Sequence, residues 1–202
     1  MIYIRDSYIR KMQVDVSFAH PVGPYSNPIN HLIPTYCHVE LSFHTTAVSF
    51  KQQLVQHMEG SNKKLLIELK KRLDKINGKI IVCFYINFGE VVSCRFLSPL
   101  INSPFHRPPE KPVYDVLPLK CTHDQMKKLT EFYLRNLGKP YDYIRAMLCL
   151  FPYTLRNCTY ERYFCSQLVV KSLVEAGLCE QPPNINHITP LEVYNYLQKI
   201  PC

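Results

Sequence analysis

The sequence has no apolar run long enough to cross a membrane as a helix. Such a helix needs about 18 consecutive apolar residues, and no stretch of the 202-residue chain reaches that length. The first residues, Met1–Asp6, also lack the apolar region of a secretory signal peptide. Internal repeats and low-complexity tracts are absent, so the pattern does not favour a repeat architecture. We therefore expect a cytoplasmic protein.

Paired metal-binding spacings are missing among the cysteines and histidines. The 9 cysteines are scattered and odd in number, which fits a reducing compartment better than a disulfide framework. A zinc site built from Cys37, His38, His44 and a further cysteine is an alternative, but no C-x-x-C or H-x-x-x-H spacing supports it. We expect neither a metal nor another cofactor.

What the sequence does contain is a globular and basic composition. Apolar residues make up 47% of the chain, with 14 Tyr and 10 Phe, which is enough to bury a core. The net charge is +8, and basic residues concentrate in residues 61–77, where leucines recur at helical spacing. This segment is either an ordinary solvated helix face or a contact for an anionic membrane surface. Because net charge is the sole argument for a nucleic-acid partner, we do not expect one.

Proline content divides the chain into an arm and a domain. Four prolines fall between positions 21 and 34, so we interpret residues 1–35 as an irregular N-terminal arm and residues 36–202 as a single domain. Residues 37–43 alternate polar and apolar side chains, which is typical of a half-buried strand. Further strands are predicted over 79–88, 91–97 and 113–119, with a hairpin turn at 89–90 and a proline-rich loop over 98–112.

The second half of the chain has mainly helical patterns. Thr122 with Gln125, and Thr189 with Glu192, have the spacing of capping boxes at helix N-termini. Strands that come first and helices that come later indicate an α+β class. Helices are predicted over residues 49–57, 61–77, 122–138, 164–176 and 189–199.

Cys165 is the candidate nucleophile because it falls in the first turn of the helix predicted over 164–176. The partial positive charge and free N–H groups of a helix N-terminus favour a thiolate, which is the reactive form. His38 and Glu40 lie two residues apart on a predicted strand, so their side chains share a face. A thiol, an imidazole and a carboxylate are the parts of a thiol hydrolase or acyltransferase. The alternatives are a small buried cysteine, a structural histidine and a surface carboxylate.

Four segments, in chain order, carry a family resemblance: His38–Leu41, Gly138–Asp142, Phe164–Val169 and Ile188–Leu191. They resemble the histidine strand, the Gly-x-Pro-Tyr segment, the nucleophile helix and the Thr-Pro helix start of the permuted NlpC/P60 papain-like superfamily. That branch includes the YiiX/YebB-like proteins and poxviral relatives, and its histidine precedes its cysteine, as here. The resemblance implies a circularly permuted papain-like fold, with an antiparallel sheet or partial barrel packed on helices. It also implies that His38 faces the Cys165 thiol across the sheet–helix junction.

The resemblance further implies a role for each site residue. Cys165 would attack a carbonyl carbon, His38 would move the proton, and Glu40 would orient His38. Tyr141 is similar to a family tyrosine that polarises the carbonyl oxygen, beside the backbone N–H of Cys165. Tyr143 competes with Tyr141 for this role, and a buried core aromatic is the alternative for Tyr141.

We therefore predict a cysteine hydrolase or acyltransferase that acts on an amide, peptide or lipid ester through a thioester intermediate. The apolar residues 146–151 and the basic helix favour a lipid substrate. The alternative is a catalytically inactive papain-like fold that binds a host factor or a membrane surface. A viral source, as in the poxviral relatives, would place the protein in the host cytoplasm.

Overall fold

The alternating and helical patterns produce an α+β fold in the computed structural model. The structure describes residues 12–20, 36, 38–57, 63–86, 91–97, 114–148 and 162–200. The strands in these ranges are β1 (Met12–Ala19), β2 (His38–Thr46), β3 (Lys79–Tyr85), β4 (Ser93–Leu97) and β5 (Tyr114–Cys121). The helices are α1 (Ala47–Gln56), α2 (Lys63–Leu73), α3 (His123–Asn136), α4 (Tyr143–Leu148), α5 (Cys165–Glu175) and α6 (Pro190–Leu197).

The five strands form one open sheet in the order β4-β3-β2-β1-β5, and every neighbouring pair is antiparallel. Strand β2 lies at the centre, between β1 and β3. A central strand is paired on both edges, so the direction of its side chains is tightly fixed. This matters here because β2 carries two of the predicted site residues.

One face of the sheet packs against the helices. Phe84 of β3 stacks on Tyr133 of α3, with ring centroids 4.3 Å apart. On the same face Phe18 of β1 contacts Tyr194 of α6, and Phe43 of β2 contacts Phe50 of α1. Helix α5 packs directly on β2 and against α3 and α6. The apolar core therefore lies between the sheet and this layer of helices.

The prediction of an irregular arm over residues 1–35 is wrong for β1. Val14, Val16 and Phe18 are fully buried, and β1 pairs with β2 on one edge and β5 on the other. The prolines that suggested an arm all follow Ala19, after the strand has ended. The rest of residues 1–35, apart from His20, lies outside the described residues.

The half-buried character predicted for β2 is also wrong, because both of its faces are buried in the middle of the strand. Glu40 and Ser42 are buried on the polar face, opposite Leu41 and Phe43. The other predicted strands and helices are present with bounds shifted by a few residues. The predicted turn at 89–90 and the loop over 98–112 lie outside the described residues. Within the described ranges, no helix combines the length and apolar character that a membrane span needs.

Candidate active site

Cys165 is the first residue of α5, as the sequence predicts. Phe164 precedes it in an extended conformation and makes no side-chain cap, and the first turn contains no acidic residue. The Cys165 side chain is buried, with 6% of the residue exposed. The helix forms here because Leu168, Val169 and the residues one turn further on are fully buried in the core. The thiol therefore belongs to the first turn of a helix whose N-cap residue, Phe164, supplies no side-chain cap.

His38 and Glu40 lie on the same face of β2, as predicted from their spacing. His38 Nε2 is 3.6 Å from Glu40 Oε1. The Glu40 side chain is 3% exposed, and that of His38 is 17% exposed. A buried carboxylate at this distance can fix the orientation of an imidazole ring. With Nε2 directed toward Glu40, Nδ1 is the ring nitrogen on the other side of the imidazole.

Glu40 has two further partners that the sequence analysis missed. Its second oxygen, Oε2, accepts a hydrogen bond from Arg95 Nη2 at 2.6 Å and one from the Cys83 thiol at 2.8 Å. Burial raises the pKa of Cys83 well above the ordinary thiol value, and the Glu40 charge adds to this effect. Cys83 is therefore a protonated donor at neutral pH and not a second nucleophile.

Strand pairing brings these side chains together. Ser42 of β2 is opposite Cys83 of β3, and Cys83 is opposite Arg95 of β4, so the three residues form a row across one face of the sheet. Glu40 projects from the same face, two residues along β2. Arg95 also lies over the Tyr85 ring, 4.9 Å from its centroid. One signal in the sequence was available: Arg95 is the single charged residue in the otherwise uncharged strand β4.

A chain of backbone contacts places the N-terminus of α5 at the end of the sheet where β2 begins. Tyr141 forms a parallel bridge with Tyr163, two residues before Cys165. The preceding residue, Pro140, bridges to Val91 at the start of the β4 segment. Ser93 then pairs with the last residue of β3, and β3 ends beside the first residues of β2. Cys165 and His38 therefore belong to the same end of the sheet.

The strand register also defines the sides on which the two residues lie. His38 and Glu40 project from the polar face, whereas α5 packs on the apolar face with Leu41 and Phe84. Contact between the thiol and the imidazole would accordingly run around the end of β2 and not through the sheet.

The two predicted tyrosines differ in burial. Tyr141 is buried, with 7% exposed, and its neighbour Asp142 donates a backbone hydrogen bond to the Tyr163 carbonyl at 2.8 Å. Tyr143 is 40% exposed and begins α4. Their rings meet edge to face, with centroids 5.3 Å apart. The backbone at Tyr141 is thus paired with the segment that leads into Cys165. The more exposed Tyr143 ring packs against the Tyr141 ring.

The described residues contain no cluster of three or more His, Cys, Asp or Glu side chains arranged to hold a metal ion. Cys37, one member of the alternative zinc site, lies outside those residues. No protein-family model matches the chain, and no curated protein or solved structure is significantly similar to it. Function must therefore be inferred from the chemistry of the site itself.

Proposed function

We propose that this protein is a cysteine hydrolase or acyltransferase with a circularly permuted papain-like fold. Cys165 is the nucleophile, His38 the general base and acid, and Glu40 the carboxylate that orients His38. One observation carries the proposal. A thiol in the first turn of a buried helix lies at the same end of the sheet as an imidazole–carboxylate pair. The resemblance to the permuted NlpC/P60 proteins gives the same three roles.

The reaction is acyl transfer through a thioester. His38 Nδ1 accepts the Cys165 proton, and the thiolate attacks the carbonyl carbon of an amide or ester. As the tetrahedral intermediate collapses, the imidazolium gives its proton to the departing amine or alcohol. Water or another acceptor then attacks the thioester, His38 takes the proton of that nucleophile, and the thiol is restored.

The oxygen of the tetrahedral intermediate needs donors at the helix terminus. The backbone N–H of Cys165 and the Tyr141 hydroxyl are the two groups we assign to this role. Tyr141 is favoured over Tyr143 because its backbone pairs with the segment leading into Cys165. Each lost donor of this kind typically costs about a hundredfold in turnover.

The substrate class in this proposal is an amide, a peptide or a lipid ester. Helix α2 exposes the basic residues Lys63, Lys64, Lys71 and Arg72. These positive charges support the proposal that the helix contacts an anionic membrane surface. Residues 149–151, the second half of the apolar segment that favoured a lipid substrate, lie outside the described residues.

One observation favours the second candidate, an inactive papain-like fold that binds a partner. Glu40 lies closer to Arg95, at 2.6 Å, than to His38, at 3.6 Å. A carboxylate held by a guanidinium is a familiar structural element. In this alternative the polar row stabilises the sheet, and Cys165 is an ordinary buried thiol.

Alkylation by iodoacetamide, followed by peptide mass spectrometry, distinguishes the two candidates. We expect Cys165 to be modified first at pH 7, and we expect His38→Ala to slow its modification by about tenfold or more. His44→Ala is the matched control, because His44 lies on the same face of β2 but is exposed at the other end of the strand. That variant should react like the wild-type protein.

For catalysis, a reactive Cys165 must also accept an acyl group from a substrate. Incubation with a panel of activated amides and esters should give a Cys165 acyl adduct visible by intact mass, and Cys165→Ser should abolish it. Equal, slow alkylation of Cys165 and Cys179 that does not respond to His38→Ala would overturn the proposal.

A further inference from the structure

The polar face of the sheet carries a four-residue cluster around Glu40, which we call the Glu40 cluster: His38, Glu40, Cys83 and Arg95. Arg95 and Cys83 both hold Oε2 of Glu40, and Oε1 is directed toward His38 Nε2. The two oxygens of one buried carboxylate are thus divided between structural partners and the imidazole. This division needs residues from three adjacent strands.

We propose that Arg95 is a positioning residue for the Cys165–His38 site and that it acts through Glu40. This inference rests on the proposed function, which assigns Glu40 but gives Arg95 no role. A buried carboxylate needs a partner that offsets the cost of removing its charge from water. Arg95 supplies this partner at Oε2, and it therefore holds the carboxylate so that Oε1 is directed toward His38. Without Arg95 the carboxylate could turn, and its 3.6 Å contact with the imidazole would no longer be fixed.

The geometry of Arg95 suits this role better than a lysine would. A guanidinium is planar and is positioned here by lying over the Tyr85 ring. Burial lowers the pKa of Arg95, but the neighbouring acidic groups Cys83 and Glu40 outweigh burial and raise it above the usual arginine value. Arg95 therefore stays charged over the pH range of the experiment below.

The other polar groups near the Glu40 cluster come from β1, β3 and β5. Ser17 is opposite Glu40 on β1, and it is a neutral hydrogen-bonding group. Tyr114 of β5 is aligned with Ala19, which pairs with His38. Tyr85 lies beneath Arg95, and Asp15 is opposite Ser42, further along the face. Among these described residues Arg95 is the cation that contacts Glu40.

The test is the pH profile of Cys165 alkylation in the whole 202-residue chain carrying Arg95→Met. At pH 7 we expect alkylation to be about tenfold slower, because a hydrogen bond to a charged group is lost. The slowing should persist across the measured pH range, because the variant lacks the contact that fixes the Glu40 carboxylate. Glu40→Gln should slow alkylation by a similar factor over the same range. Arg95→Lys should retain part of the wild-type profile.

The double variant Glu40→Gln/Arg95→Met separates positioning from packing. If Arg95 acts through Glu40, the double variant should react no more slowly than Glu40→Gln alone. Arg135→Met is the matched control, because Arg135 also pairs with a carboxylate, that of Glu175, but does so on the surface between α3 and the C-terminal end of α5. Its profile should be unchanged. Circular dichroism and thermal unfolding of each variant report whether the fold is retained.

Each outcome decides between the two proposals. Normal His38-dependent reactivity with a wild-type pH profile in Arg95→Met would overturn the positioning role and leave the proposed function intact. If Arg95→Met does not fold, Arg95→Lys decides: a wild-type profile in that variant contradicts the need for a planar guanidinium, and a shifted profile supports it. A Cys165 that does not react even in the wild-type protein overturns the proposed function first.

Discussion

At the scale of single residues, burial makes several of the described cysteine thiols harder to ionise. Burial raises the pKa of Cys179 to about 11 and that of Cys121 to about 11, from an ordinary value of 9.0. At pH 8 the thiolate fraction of either residue is then about a hundredfold below that of an ordinary thiol. These two residues are internal references for the reactivity of Cys165.

We predict that Cys179 and Cys121 react slowly with iodoacetamide at pH 8 in the folded protein and at an ordinary rate in urea. Peptide mass spectrometry at several times measures both rates. Burial, not sequence context, is the cause, so unfolding should remove the difference. Rapid labelling of Cys179 under native conditions would contradict the assignment.

Cys83 illustrates how a buried thiol can serve as a donor. Its hydrogen bond to Glu40 should be preserved by Cys83→Ser, which keeps a donor, and lost in Cys83→Ala. We predict that Cys83→Ala lowers the free energy of unfolding by about 1 kcal/mol more than Cys83→Ser. Urea denaturation measures the difference. Equal losses in the two variants would show that the Glu40 carboxylate does not need this donor.

At the scale of secondary-structure elements, the capping boxes are where sequence and structure agree most closely. Thr122 Oγ1 accepts from the Gln125 N–H, and the Gln125 side chain accepts from the Thr122 N–H at 2.9 Å. Thr189 and Glu192 repeat this arrangement at α6. Such motifs involve four consecutive residues, so the sequence alone contains all the information needed to predict them.

Gln125 also has a long-range contact that no local pattern reveals. Its Nε2 donates to the Gly177 carbonyl at 2.8 Å, at the C-terminal end of α5. Gln125→Glu keeps the capping acceptor and removes this donor, whereas Gln125→Ala removes both. We predict a loss of about 1 kcal/mol for Gln125→Glu and a larger loss for Gln125→Ala, measured by urea denaturation. Equal stability of Gln125→Glu and the wild-type protein would show that the contact to Gly177 contributes nothing.

The difference between local and long-range contacts also explains which parts of the candidate site could be predicted. His38 and Glu40 follow from a two-residue spacing on one strand, and Cys165 follows from a helix start. Arg95 and Cys83 reach Glu40 because β4, β3 and β2 pair in a particular register. The resulting contacts of Glu40 with Cys83 and Arg95 join residues that are 43 and 55 positions apart in the chain. Periodicity within one segment contains no information about them.

At the scale of the whole molecule, the buried thiols and phenols make the folded state less stable as the pH becomes alkaline. Cys121 and Cys179 bind their protons more tightly when folded, so their contribution is fully present below about pH 9. It is lost as the pH rises toward 11. The buried Tyr133 hydroxyl, whose pKa is also raised by burial, extends the loss to higher pH.

We therefore predict that the urea concentration at the unfolding midpoint decreases as the pH is raised from 8 to 10.5. A Cys121→Ala/Cys179→Ala double variant should start from a lower midpoint but lose less over the same interval, because it lacks the two linked protons. A fall as steep as that of the wild-type protein would assign the pH dependence to other groups.

The placement of β1 has the largest consequence for the molecule as a whole. Because β1 lies between β2 and β5, it joins two parts of the sheet that are distant in sequence. Removing it would leave unpaired edges on both neighbours and would expose the core that Phe18 fills. A protein starting at residue 36, the boundary that the proline pattern suggested, should therefore fail to unfold cooperatively.

Substitution within β1 tests this more finely than deletion. Phe18 is fully buried and contacts Tyr194 edge to face, so Phe18→Ala should cost about 3–5 kcal/mol of unfolding free energy. Val116→Ala is the control, because Val116 lies on the adjacent strand β5 but is 49% exposed on the other face. Its cost should stay within about 0.5 kcal/mol. If both variants unfold at the wild-type urea concentration, β1 is not part of the cooperative core, and a domain beginning at residue 36 would again be tenable.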